Sequence, residues 1–199
     1  ISSMLSTKGY KLVKDDLSDT QKKNIIKDLT AKPKMVQGFG PNQTQIEYPI
    51  YLESKSSYYV PRFYGQTHYG MPNVKPLHPG LSINIKFKGS LRDEQLPIQQ
   101  LFLDQDKGSG AGGIISLKCG GGKTVLALSI IASLQTKTIV LVHKDFLMTQ
   151  WRDRIMEFLP DANIGKIQQD TIDIEGKDIV LAMVQSVSVK DYSPEIFKQ

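Results

Sequence analysis

The sequence has little cysteine and no long apolar run. Its one cysteine, Cys119, cannot form an internal disulfide bond or build a zinc cluster. No stretch approaches the ~18 to 20 apolar residues of a membrane-spanning helix, and the first residues lack a signal peptide's apolar stretch. We therefore expect neither secretion nor membrane insertion, and we expect a reducing, intracellular location.

Charge, aromatic residues and proline are unevenly distributed along the 199 residues. Residues 1–90 contain 13 Lys and Arg against 6 Asp and Glu, whereas residues 91–199 contain 12 against 14. Ten of the 15 Phe and Tyr residues and seven of the 10 Pro residues also precede residue 91. This shift predicts two modules, a basic and aromatic-rich α+β module over residues 1–90 and a second module over residues 91–199.

The first module shows a change from helical to alternating periodicity. Ser18 and Gln21 have the spacing of a capping box, which predicts a helix over residues 17–29. The remaining expectations are strands over 46–52 and 81–87, a turn over 54–57, an extended run over 58–64 and a loop over 65–80.

The basic, aromatic composition of this module leaves two functions open. It is compatible with a surface that grips a nucleic-acid backbone and stacks on bases. The composition favours the other function class, a small β domain whose aromatic side chains form the core and whose lysines are solvated, because surface lysines are usually solvated. If the surface binds a ligand, Arg62 and Tyr64 are the first candidates.

The second module alternates short apolar strands with helices, which is typical of a parallel sheet covered on both faces. Strands are predicted over 114–117, 138–142, 164–167 and 179–184, helices over 94–104, 124–134 and 145–159, and a loop over 106–113. We place Trp151 in the core because it shares the apolar stripe of its helix.

A phosphate-binding loop is predicted between the first of these strands and its helix. Residues 117–124 read Leu-Lys-Cys-Gly-Gly-Gly-Lys-Thr. Glycines allow backbone N–H groups to converge, and the helix that follows directs its positive end at the same point. Lys123 and Thr124 are the candidate catalytic residues, since the lysine can reach the β and γ phosphates and the threonine hydroxyl can hold Mg²⁺. The strict motif has Gly where Leu117 stands.

The loop and the segment before it resemble superfamily 2 helicases and translocases of the DEAD/DEAH-like type. These proteins often read apolar-x-x-Gly-x-Gly-Lys-Thr, and residues 91–95 (Leu-Arg-Asp-Glu-Gln) resemble their Leu-Arg-x-x-Gln element, whose glutamine reads adenine. A carboxamide has the donor and the acceptor for that pairing. The nucleotide site that the resemblance implies comprises Arg92, Gln95, Leu117, Lys118, Cys119, Gly120, Gly121, Gly122, Lys123 and Thr124.

Two later segments resemble the family's nucleic-acid-binding motifs. Residues 139–151 resemble motif Ia, a strand and polar turn that touch phosphates of the bound strand, which implies contacts from His143 and Lys144. Residues 182–187 resemble a strand end that carries Gln-Ser, which implies contacts from Gln185 and Ser186.

The resemblance implies a partial RecA-like P-loop domain in an ATP-dependent nucleic-acid helicase or translocase, with ATP and Mg²⁺ as cofactors. The nearest groups are the XPB-type translocases, type III restriction motor subunits and transcript-release helicases of large DNA viruses. They imply DNA or RNA as partner, with DNA favoured, and transcription or repair machinery. They also imply a nuclear or cytoplasmic location, or a virion or host cytoplasm for a viral protein.

No Asp-Glu-x-His motif follows the last predicted strand. Because P-loop hydrolysis needs a carboxylate for Mg²⁺ and a group that orients water, we expect these residues to be part of a longer motor and to hydrolyse ATP poorly alone. Two other functions stay open at this point. One is a P-loop kinase-type nucleotide-binding enzyme, and the other is a non-enzymatic nucleic-acid-binding module.

Overall fold

A computed structural model describes residues 2–32, 47–73, 80–105 and 112–198. The chain divides into two compact units, residues 1–77 and 78–199. This division lies earlier than the expected boundary at 90/91, because Ile83, Ile85 and Phe87 pack into the core of the second unit.

The first unit is built on a four-stranded antiparallel sheet. The sheet order is β1, β2, β6, β5, and a separate two-stranded sheet pairs β3 with β4. The elements are β1 Ser3–Ser6, β2 Gly9–Val13, α1 Asp19–Asp28, β3 Thr30–Ala31, β4 Tyr48–Pro49, β5 Leu52–Glu53, β6 Ser57–Val60 and α2 Arg62–Tyr69.

One face of this sheet packs against α1 and α2. The core of the unit consists of buried apolar side chains from the sheet and from α1, namely Tyr10, Leu12, Leu17, Ile25, Leu29, Tyr58 and Val60. The predicted capping box is present, since Ser18 Oγ accepts from the Gln21 N–H at 3.3 Å and Gln21 Oε1 accepts from the Ser18 N–H at 2.9 Å. The helix prediction for 17–29 is therefore confirmed.

Three predictions for the first unit are wrong in part. The predicted strand over 46–52 is interrupted, with β4 and β5 separated by a bend at Ile50. The extended run over 58–64 ends at Val60, and residues 62–69, expected as an extended end and a loop, form α2. This helix depends on a glycine, because a Cβ at Gly65 would lie 2.2 Å from the Tyr10 ring.

The second unit contains a four-stranded sheet in the order β7, β10, β8, β9. Strands β7, β10 and β8 are parallel, and β9 pairs antiparallel with β8. The elements are α3 Leu96–Gln105, α4 Lys123–Leu134, β7 Thr138–Val142, α5 Asp145–Phe158, β8 Ile164–Gln168, β9 Thr171–Asp173, β10 Ile179–Met183 and α6 Val184–Val189. The expected α/β class with a parallel sheet is confirmed.

Apolar side chains lie on both faces of this sheet. Helices α4 and α5 cover one face through a core that includes Leu128, Ile155 and Leu181, and Trp151 packs against it as predicted. The other face carries a smaller cluster that includes Ile167 and Val180. The carboxyl ends of β7 and β10 lead directly into α5 and α6, which places the turns after both strands at one edge of the sheet.

Two predicted strands of the second unit are wrong. Residues 81–87 are extended and alternate as expected, with Ile85 buried, but they form only one isolated bridge, between Ser82 and Thr136. Residues 114–117 form no strand, and Ile114 is 98% exposed. Apolar residues favour a strand, but a strand also needs a neighbouring backbone to receive its hydrogen bonds, and no described strand lies beside this segment.

Some sequence expectations fall outside the described residues. These are the strand residue at position 46, part of the loop over 65–80 (residues 74–79) and most of the loop over 106–113 (residues 106–111). Within the described ranges, no helix is long and apolar enough to cross a membrane.

Candidate nucleotide-binding site and nucleic-acid contacts

The glycine loop leads directly into α4, whose first residue is Lys123. Gly120 and Gly122 have φ of +75° and +74°, while Gly121 between them does not. Such alternation of backbone conformation makes successive N–H groups converge on one point. The start of α4 adds its own free N–H groups and the positive end of the helix dipole, so the backbone itself can bind an anion here.

Arg92 and Gln95 hold this loop from the segment before α3. The Gln95 side chain is 2% exposed, and its Nε2 donates to the carbonyl oxygens of Gly121 at 3.0 Å and Gly122 at 3.2 Å. Its Oε1 accepts from the Arg92 N–H at 2.9 Å, and the Arg92 guanidinium donates to the Gly120 carbonyl at 3.2 Å. The bonds from Gln95 Nε2 and from the Arg92 guanidinium hold the carbonyl groups of the glycine loop in place.

This arrangement changes the role expected of Gln95. A carboxamide nitrogen has two hydrogens, and in this structure both are directed to loop carbonyls. Pairing with adenine would require Gln95 to release at least one of these bonds. In the structure Gln95 is bonded to the glycine loop, and its pairing with adenine stays a prediction.

Lys123 and Thr124 line a hollow of about 500 Å³ in front of the loop. The Lys123 ammonium donates to the Lys118 carbonyl at 2.9 Å. Because an ammonium has three donor hydrogens, a phosphate can bind beside that carbonyl or replace it. The described lining residues include cations and no carboxylate, which suits the phosphates of a nucleotide. Thr124 is the one hydroxyl among them, and no group of three metal-binding side chains occurs among the described residues.

Helix α5 contributes two further residues to the hollow, Gln150 and Arg154. The Arg154 guanidinium donates to Glu157 at 2.5 Å on the exposed face of the helix. Sequence reasoning missed both residues because their position at the hollow depends on how α5 packs. Their spacing of four places them on one helix face, which is the signal that could have found them.

The other predicted loop residues contribute less directly. Lys118 supplies its carbonyl to Lys123 and to the Gly121 N–H. A Cβ added to Gly121 would lie 3.2 Å from the Leu117 Cβ. Cys119 is exposed. These three residues shape the loop and do not line the described part of the hollow.

Three of the four candidate nucleic-acid contacts meet at the carboxyl edge of the sheet. The Gln185 side chain donates to the His143 carbonyl at 2.8 Å, which joins the turns after β7 and β10. Lys144 precedes α5 and is exposed, with its ammonium 6.0 Å from the centre of the Phe146 ring. All three side chains are exposed.

Ser186 is placed differently from these three residues. It is 9% exposed, and its hydroxyl accepts from the Gln169 N–H at 2.9 Å. This bond holds the turn between β8 and β9, so the Ser186 hydroxyl is buried and engaged within the fold.

Arg62 and Tyr64, the sequence candidates in the first unit, are engaged within that unit. The Tyr64 hydroxyl donates to Asp28 at 3.0 Å, and burial together with this bond raises the pKa of Tyr64 above its ordinary value. Its ring lies 4.3 Å from that of His68. Arg62 begins α2 and is half-buried beside Phe63. Neither residue presents a free stacking or phosphate-binding group.

Comparison with known proteins gives a consistent family. Residues 88–198 match the family described as "Type III restriction enzyme, res subunit". An ATP-dependent RNA helicase of Acanthamoeba polyphaga mimivirus, so named provisionally, is 31% identical over the whole chain and 38% of its own length. The DNA 3'-5' translocase XPB2 of Sulfurisphaera tokodaii is 37% identical over 38% of this chain and 16% of its own length.

Solved structures also match the chain. The SWI2/SNF2 ATPase core of Sulfolobus solfataricus, in complex with double-stranded DNA, gives a TM-score of 0.43 at 21% identity, over 54% of this chain and 24% of that one. The chain thus spans well under half the length of these relatives. The family match covers more than half of the chain and includes the glycine loop and both polar turns, so the chain belongs to the type III restriction enzyme res subunit family of helicase-like proteins.

Proposed function

We propose that the protein binds ATP with Mg²⁺ and acts as an ATP-dependent helicase or translocase of superfamily 2. The observation that carries this proposal is the glycine loop at the start of α4, held by Gln95 and facing a cationic hollow. The names of the relatives support it, since they describe an ATP-dependent helicase and a translocase.

In this proposal the phosphates of ATP occupy the hollow. The loop N–H groups and the start of α4 bind phosphate oxygens, and Lys123 exchanges the Lys118 carbonyl for an oxygen of the β or γ phosphate. Thr124 holds Mg²⁺, which when bound neutralises negative charge on those phosphates. Arg92 and Arg154 add positive charge at the rim.

The exposed edge formed by His143, Lys144 and Gln185 contacts the backbone of the nucleic acid. The Lys144 charge and the first N–H groups of α5 attract a phosphate, and the bond from Gln185 to His143 couples two turns of the same edge. We propose DNA ahead of RNA as the polymer. The relatives' names include both, one a DNA translocase and one an RNA helicase.

In the whole protein, ATP binding and hydrolysis would change the conformation that holds the strand, and so move it. An intracellular location, in nucleus or cytoplasm, suits the exposed thiol of Cys119.

A reciprocal pair of lysine variants tests this proposal. Lys123→Ala should abolish binding of labelled ATP and leave oligonucleotide binding within about twofold, a change of less than 0.5 kcal/mol. Lys144→Ala should weaken binding of single-stranded or duplex DNA and leave ATP binding unchanged. Both affinities are measured on the same preparations, by equilibrium dialysis and fluorescence anisotropy. ATP binding that survives Lys123→Ala would overturn the nucleotide site.

A further inference from the structure

The first unit has a sheet face that its core does not use. Cross-strand pairing places Met4 opposite Lys11, Lys11 opposite Tyr59 and Tyr59 opposite Leu52. Because directly opposed residues project to the same face, these four side chains form one row across all four strands. The next row, which includes Leu5, Tyr10 and Val60, projects to the opposite face and is buried in the core. We call the face that carries the Tyr59 row the outer face.

The outer face combines an aromatic ring with two lysines. Lys8 lies with its ammonium 5.7 Å from the centre of the Tyr59 ring, and Lys11 is the cross-strand neighbour of the same ring. Lys14, by contrast, is paired with Glu53, and Lys32 with Glu47. Within the described ranges, neither Lys8 nor Lys11 forms an ion pair.

A hollow of about 230 Å³ lies beside the ring. Its walls include Lys8, Tyr51, Tyr59 and Pro61, and no carboxylate occurs among its described lining residues. At its rim, Ile50 and Leu52 are 53% and 56% exposed. Exposed apolar side chains grouped around a hollow mark a surface that a ligand covers.

We propose that the outer face binds single-stranded nucleic acid, with the Tyr59 ring stacked on an unpaired base and Lys8 and Lys11 bound to neighbouring phosphates. Charge decides between a nucleic acid and an apolar peptide as the occupant. Residues 1–77 contain 11 Lys and Arg against 6 Asp and Glu, and the unpaired cations of this face lie beside the ring. Tyr59 is half-buried and lines the hollow. A partly exposed aromatic ring flanked by cations is the arrangement that single-strand binders use, because every base has a face on which to stack.

This site consists of residues of the first unit, whereas the sheet edge at His143 and the glycine loop belong to the second, and binding at it is proposed without nucleotide. It also replaces Arg62 and Tyr64, which the fold engages elsewhere. The proposal therefore stands or falls independently of the ATP site.

The first test uses charge reversal with a matched control, in the full chain and without nucleotide. Lys8→Glu/Lys11→Glu should weaken binding of a labelled oligodeoxythymidine of about 20 nucleotides at least about tenfold. It should also reduce the slope of log affinity against log salt by about 1.4, at about 0.7 per lost phosphate contact. The control, Lys23→Glu/Lys27→Glu, makes the same charge change on exposed positions of α1 and should change affinity by less than about threefold. Equal losses in both double variants would overturn the proposal, since they would reflect net charge alone.

The second test addresses stacking. Tyr59→Ala should weaken binding about fivefold or more with an unchanged salt slope, and Tyr59→Phe, which keeps the ring, should bind as the wild type does. If Tyr59→Ala does not fold, photo-crosslinking of the wild type to an oligonucleotide that contains iodouracil tests whether Tyr59 contacts a base. The proposal predicts a crosslink at Tyr59. Crosslinks confined to residues 78–199, or full affinity in folded Tyr59→Ala, would overturn the proposal and assign the outer face to a protein partner.

Discussion

The anion-binding surfaces that we propose for the two units differ in construction. In the first unit the candidate groups are side-chain cations on one face of a sheet, and the unit carries 11 Lys and Arg against 6 Asp and Glu. In the second unit they are mainly backbone N–H groups of a glycine loop, and residues 78–199 carry 14 of each sign. The net charge of a unit can therefore indicate an anion-binding site built from cationic side chains. It does not indicate a site built from backbone N–H groups. The two kinds of surface should respond to different substitutions.

Gly122→Ala should have the largest effect on the backbone-built site. Gly122 has a φ of +74°, and an added Cβ would lie 2.5 Å from Gln95 Nε2. The left-handed conformation alone costs an alanine about 1–2 kcal/mol, and the clash separates the loop from the residue that holds it. ATP affinity, measured by calorimetry, should fall more than about tenfold, equivalent to about 1.4 kcal/mol.

Gly176→Ala is the matched control for this substitution. Gly176 also has a positive φ, +61°, but an added Cβ would meet open space. It should lose about 1–2 kcal/mol of stability and keep its ATP affinity. A similar loss of ATP affinity in both variants would show that general destabilisation, and not the loop, is responsible.

Gln95→Ala should have the next largest effect. It removes the side-chain donor to the carbonyls of Gly121 and Gly122, of which the Gly122 carbonyl keeps its bond from the Leu126 N–H. Loss of a donor to a buried carbonyl costs about 1–3 kcal/mol of unfolding free energy. ATP affinity should fall together with stability. Denaturant unfolding and ATP titration on the same protein measure the two quantities.

Gln99→Ala is its control, one turn further along the same segment. Gln99 Nε2 donates to Ser129 Oγ at 2.6 Å and does not contact the loop. Stability should fall by about 1 kcal/mol with ATP affinity unchanged. If Gln95→Ala weakens ATP binding no more than Gln99→Ala does, Gln95 has no positioning role.

These positions show which parts of the site the sequence could predict. The glycine loop and Lys123 were predicted because phosphate binding fixes residue types at short, regular spacings, and the polar turn at His143 was predicted by resemblance. Gln95 was found by resemblance, but its bonds to the loop were not, because they join residues 26 and 27 positions apart. Gln150 and Arg154 were missed for the same reason, since their position at the hollow depends on how α5 packs.

The fold divides along similar lines. Helices α4 and α5 and strands β7 and β10 were predicted well because each is a long apolar or periodic run bounded by polar residues. Residues 81–87 and 114–117 were wrongly predicted as strands. Hydrophobic periodicity indicates which side chains are buried, but it does not indicate whether a neighbouring strand is present to pair with the segment. The hairpin of β1 and β2 was not predicted, and α2 was taken for an extended run and loop since its aromatic residues and Gly65 favour helix weakly.

Cys119 offers a smaller effect that reports on the loop without changing its backbone. The thiol is exposed next to the glycines, so ATP in the hollow should slow its reaction with a thiol reagent several-fold. In Lys123→Ala protein, ATP should give no protection. Equal labelling rates with and without saturating ATP in the wild type would place the nucleotide elsewhere.

Ser18→Ala should give the smallest effect and leave both surfaces intact. It removes one bond of the α1 capping box, which is worth about 1 kcal/mol. Thr20→Ala, at an exposed position of the same helix, should change stability by less than about 0.5 kcal/mol. Thermal unfolding measures the stability of both variants. A change in ATP or oligonucleotide affinity in either variant would contradict the claim that the α1 cap contributes to stability alone and not to binding.

Hydrogen exchange with and without saturating ATP tests the central claim most directly, because the proposed site is made of backbone N–H groups. We predict that ATP slows exchange at the amides of residues 120–126, where the glycine loop enters α4, and leaves residues 2–32 unchanged. ATP-dependent protection that is absent from residues 120–126, or that lies elsewhere in the chain, would contradict the account.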